Sequence, residues 1–215
     1  MTIRFLLYLV LLTLIVLIAL LRFKKMNRSF NVLTILIACT LISEITSRIL
    51  AVKYHNSSPV YHALNLISFT GYGLIYYFLM KNPARKRFVI VVMVSACLFS
   101  IFNSIFLQNL WSFPSNALSI LCLSNIFFSL LLFGQMLNES DPNHAIRRAS
   151  VLFNCSVLVF FTVIFLHWSF YNYLVRNKMN SQLISQFMFY ANVLYYMMLG
   201  TALFFSTKKI SQTLP

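Results

Sequence analysis

The 215-residue sequence is 60 % hydrophobic and 9 % charged, with 17 Lys and Arg set against three acids, Glu44, Glu139 and Asp141. A soluble domain carries about a quarter of its residues as charges, so this chain cannot build a water-facing exterior. Its net charge of +14 is held in short clusters between long apolar runs, which speaks against nucleic acid as a partner and for anionic lipid beside cytoplasmic loops.

A helix needs about 20 residues to cross the hydrocarbon, and seven such segments can be laid along the chain. The first, about 3–21, has Arg4 at its start and precedes RFKKMNR, which carries no small-residue cleavage site, so a retained span is expected rather than a removed signal peptide. The second covers 31–52 and is followed by a polar turn up to Pro59. The third, 60–80, ends at Lys81, Arg85, Lys86 and Arg87, and the fourth covers 88–107. QNLWSFPSN then reads as a turn, with Pro114 as breaker and Trp111 at interfacial depth. The fifth (116–137) leads into the hydrophilic loop NESDPNHAIRR. The sixth covers 149–171, and the seventh, 181–206, precedes Lys208 and Lys209. The expected fold is all-α: a polytopic helical membrane protein, one domain, a seven-transmembrane-helix bundle.

Counting basic residues on alternate sides orients it. The first, third and fifth loops and the tail hold twelve, while Arg4, Lys53, Arg176 and Lys178 make four on the other side. Positive loops stay inside, so the N-terminus is expected outside, the C-terminus in the cytoplasm, and the chain in the cytoplasmic (plasma) membrane. Cys39, Cys97, Cys122 and Cys155 lie in four different apolar runs without CxxC spacing and read as packing residues, not as disulfides.

Glu44 is the only acid inside a span, and a charge there should face protein or water with a partner. Arg48, one turn outward on the same face, is the expected ion-pair partner. On the third helix Tyr61, Asn65, Ser68, Tyr72 and Tyr76 fall four, three, four and four residues apart and form one stripe, with His62 beside its outer end. Gly71 and Gly73 would let another helix approach. The seventh helix adds Gln182, Gln186, Tyr190, Asn192, Tyr195 and Tyr196, and the sixth adds His167, Trp168 and Tyr171 near its outer end. Asn103, Asn125 and Asn154 read as interhelical hydrogen-bonding groups. The sharp expectation is one pocket reached from outside and bordered by Glu44, Arg48, His62, Asn65, Tyr72 and Gln186. The bland one is that the same groups only fix helix packing.

No catalytic or metal-binding residues are assigned, and no cofactor is expected. HExxH, a P-loop, a dinucleotide fingerprint and a GxSxG elbow are all missing, and the four histidines are scattered. A retinal Schiff base needs a lysine in the last helix, and 181–206 has none. In helix number, small size and orientation the chain resembles the seven-helix sugar transporters built from two three-helix repeats. It departs from them in having no proline within a span. LIYYFLM at 74–80 and VLYYMML at 193–199 are the one trace of such a repeat.

Three functions compete. One is binding of a small polar or weakly cationic molecule for transport or sensing. Another is a structural or regulatory subunit beside a membrane-protein partner. The third is an intramembrane lipid-modifying enzyme using Glu44 or His62. Membrane lipids are partners in all three.

Overall fold

The computed structural model describes residues 3–138, 144–177 and 182–206. Glu139, Asp141, Lys178, Lys208 and Lys209 lie outside the described residues, as does the side chain of Gln182. Among the described residues there are seven long α-helices and no strand: α1 (Ile3–Arg22), α2 (Arg28–Tyr54), α3 (Ser58–Leu79), α4 (Pro83–Phe102), α5 (Ser115–Asn138), α6 (His144–Arg176) and α7 (Gln182–Phe205). All of these but α3 are long and apolar enough to cross a bilayer. The chain is a multi-pass α-helical membrane bundle.

Several helices outrun the apolar segments that announce them. Helix α4 starts at Pro83, where the ring's fixed φ suits the first turn and its missing N–H costs nothing. Asn82 caps it by accepting a hydrogen bond from Ala84 N at 2.8 Å. Helix α6 has 33 residues, roughly 50 Å of axis, more than the hydrocarbon requires. Its first turns carry Arg147 and Arg148, which belong at headgroup depth. An apolar run therefore marks the hydrocarbon crossing, and the helix continues past it.

Neighbours in sequence pack as neighbours in space, and α1 closes the set against α7. Helix α3 also packs on α5, and its tyrosines reach α6 and α7. Tyr76 hydrogen-bonds Ser129 of α5 and donates to Asn154 Oδ1 of α6 at 3.1 Å, while Tyr72 meets the Tyr195 hydroxyl of α7. Asn154 Nδ2 closes this network on Ser129 O at 3.0 Å. Helix α3 divides its surface, with Ala63, Ile67, Thr70 and Phe78 exposed along one side. Its polar side chains His62, Asn65, Ser68, Tyr72 and Tyr76 are all buried against the other helices, so the polarity that separates α3 from the six more apolar spans lies on its protein-facing side.

The glycines of α3 set how closely it is held. A Cβ on Gly71 would come within 2.9 Å of Leu36 Cδ1 on α2, and one on Gly73 within 2.5 Å of Met93 Sδ on α4. At the basic end, Arg22 donates to Phe204 O at 2.6 Å and lies over the Phe204 ring, tying α1 to α7. Gln135 of α5 accepts from Lys81 N at 2.9 Å.

The opposite end is built around the α4–α5 connection. Helix α4 leaves through a π-helical turn, Asn103–Leu107. Asn103 then donates to Gln108 Oε1 (2.8 Å) and accepts from Asn116 Nδ2 (3.3 Å), and Gln108 donates to Ser115 Oγ (2.9 Å). These amides fold the connection back across the bundle end. Asn56, in the α2–α3 turn, fastens it by donating to Trp111 O at 2.6 Å.

Candidate functional site

The cavity at this end has a volume of about 330 Å³ and is walled by α1, α2, α3, α5, α6, α7 and the α4–α5 connection. Its α3 wall runs from Tyr61 to Tyr72, some 16 Å of helix axis. Glu44, Asn65 and Tyr72 all line it, together with Tyr8, Thr40, Tyr61, Ser68, Asn192 and Tyr196. The stripe spacing on α3 is thus the reason three turns of one helix face a single space.

Glu44 is half-buried, and its closest polar partner is the Tyr8 hydroxyl, which donates to Oε1 at 3.5 Å. Among the described residues neither Lys nor Arg lines the cavity. Asn65 is 6 % exposed, and its Nδ2 is buried without a hydrogen-bond partner among the described residues. Asn192 uses its amide nitrogen on Met188 O at 3.0 Å. The unpartnered Asn65 Nδ2 and the Glu44 carboxylate therefore face space rather than each other, an arrangement that costs stability unless water or a ligand occupies it.

The remaining wall is aromatic. Phe113 of the α4–α5 connection stacks on Trp168 of α6 (centroids 4.3 Å, 20°) and leans on Tyr61 (5.6 Å). This trio partly roofs the cavity. Below, Phe160 stacks on Tyr195 at 3.8 Å, and Tyr72 meets Phe161 edge-on at 5.1 Å. With the Tyr76–Ser129–Asn154 network beneath them, these rings close the floor toward the basic end.

The other three expected pocket residues lie elsewhere. Arg48 is exposed, with its guanidinium 5.8 Å from the centre of the Phe5 ring of α1. Among the described residues no ion pair joins it to Glu44. Spacing of four residues put both on one face, but each side chain meets a different residue of α1. Glu44 turns in to Tyr8, and Arg48 runs outward along the apolar surface of Phe5. His62, only 4 % exposed, is occupied on both nitrogens: Nε2–H donates to Ser112 O at 3.0 Å, and Nδ1 pairs with Ser104 Oγ at 2.6 Å. It clasps the α4–α5 connection from behind rather than facing the cavity. Gln186 is half-buried on α7, about half a turn before the cavity-lining segment, which begins at Met188.

The sequence placed Tyr61, Ser68, His167, Trp168, Asn192 and Tyr196 on polar or aromatic faces without assigning them to the pocket. Tyr8 and Thr40 gave no signal beyond being polar groups in apolar helices, and only packing brings them beside Glu44. No protein-family model matches this chain, no curated protein matches it, and no solved structure matches its fold, so the reading of the site rests on its own chemistry.

Proposed function

We propose that the protein binds a small molecule from outside the cytoplasmic membrane, for transport or sensing, in the cavity bordered by Glu44, Asn65 and Tyr72. The observation that carries this reading is Glu44 itself. It is the only acid in the apolar spans, and it faces a cavity instead of a cation. A carboxyl group at that depth is costly and is ordinarily a functional one. The volume, about 330 Å³, suits a small organic ligand. The positive-inside bias supports an outer-half position for the cavity, and the tyrosine floor lies between it and the end bearing Arg22 and Lys81.

Cysteine accessibility tests this. In a background with Cys39, Cys97, Cys122 and Cys155 replaced, Ser68→Cys should react with a small cationic methanethiosulfonate added outside sealed cells. A Ser129→Cys control, in the filled network below, should not. If the Ser68→Cys protein is folded and inert while Asn56→Cys reacts, no accessible cavity exists. The polar groups would then serve packing alone, as a structural subunit requires.

A further inference from the structure

The walls of the cavity also carry information about the charge of what it holds. Among the described residues Glu44 brings the only carboxylate, and no lysine or arginine on the wall offsets it. The one guanidinium that helical spacing offers, Arg48, is drawn off over Phe5. The rings of Tyr8, Tyr61, Tyr72, Phe161, Trp168 and Tyr196 line the same cavity, with the Tyr8 hydroxyl on the carboxylate itself. Aromatic faces are electron-rich and attract cations once water is excluded, and they give an anion nothing in return for its lost hydration. The buried Asn65 Nδ2–H, unpartnered among the described residues, calls for an acceptor on the ligand.

Resting on the pocket reading above, we infer that the cavity selects organic monocations: an amine or quaternary ammonium with an apolar body and a hydroxyl or carbonyl oxygen. The charged nitrogen sits between the Glu44 carboxylate and the tyrosine faces. The oxygen accepts from Asn65, and the apolar body lies against Phe161 and Trp168. Thr40 and Tyr8 hold the carboxylate side of the site, and Phe113 on Trp168 forms the part of the roof that an entering ligand must pass.

The test uses the full chain in detergent micelles with a Trp111→Phe change, so that Trp168 at the cavity mouth is the sole fluorescent tryptophan. Three probes of similar bulk are titrated: benzyltrimethylammonium, benzyl alcohol and phenylacetate. The cation should quench saturably and raise the melting temperature, with the other two binding at least about tenfold more weakly. Glu44→Gln should weaken the cation by about tenfold or more and leave the alcohol unchanged. Should that variant fail to melt cooperatively, Tyr61→Leu at the rim replaces it, with an expected loss of about threefold for the cation only. Equal or tighter binding of the alcohol or the anion would overturn the cation inference while leaving the pocket standing. So would saturable cation binding that both variants leave unchanged, or no binding of any probe to a protein whose Ser68→Cys form is labelled. An unlabelled Ser68→Cys would instead remove the pocket and the inference together.

Discussion

At the residue scale, polar side chains in these helices divide by what they face. Tyr76, Ser129 and Asn154 face one another and are fully buried, so their hydrogen bonds stabilise the bundle. Tyr76→Phe should cost about 1–3 kcal/mol in a detergent unfolding titration, because Ser129 and Asn154 lose their shared partner. A smaller loss would show that water or rearrangement replaces the hydroxyl. Glu44 and Arg48 give the opposite expectation. Since they do not pair, the double-mutant cycle of Glu44→Gln and Arg48→Gln should be additive to within about 0.5 kcal/mol. A coupling energy well beyond that would restore the ion pair. Pattern reading finds the right face of the right helix for Glu44, Asn65 and Tyr72. It cannot see Tyr8 and Phe5 of α1 meeting Glu44 and Arg48 separately, since they are some forty residues away in sequence.

At the scale of elements, α3 depends on keeping its polar stripe against protein. Its other side, with Ala63, Ile67, Thr70 and Phe78, stays exposed, and its glycines allow α2 and α4 to come close. Gly73→Val should destabilise by about 1–3 kcal/mol through overpacking against Met93. Gly134 on α5 has nothing within 4 Å of an added Cβ, so Gly134→Ala should instead stabilise by about 0.5–1 kcal/mol through helix propensity. Thermal melts of the two variants check both signs. If Gly73→Val is as benign as Gly134→Ala, α3 is less tightly held than its neighbours indicate. His62 shows how an element borrows function from its ends: its two hydrogen bonds hold the α4–α5 connection so that Phe113 can reach Trp168.

For the whole molecule, the expected topology follows from charge. A cysteine at Asn56 or Asn177 should react with an impermeant maleimide outside sealed cells, and one at Asn27 or Asn82 should not. Reversed labelling would invert the bundle and place the cavity on the cytoplasmic side. The two ends are built differently in keeping with this. Arginine and lysine contacts such as Arg22 to Phe204 O mark one end, and amide and aromatic contacts around Gln108 and Phe113 mark the other.

The sequence by itself determined that the chain is an all-α membrane bundle. Lipid imposes one requirement, long apolar helices with satisfied backbones, and that requirement is written residue by residue in composition and spacing. It also singled out Glu44 as the acid to be explained, because a carboxyl group in a span is expensive wherever it lies. Tertiary structure alone decided which face of α3 is buried, what Glu44 faces, and which polar groups share its space. Those outcomes depend on side chains from seven helices meeting across the bundle. Within the membrane, apolar surfaces of lipid and protein are equivalent neighbours, so the pattern along any one helix cannot say which of them it will touch.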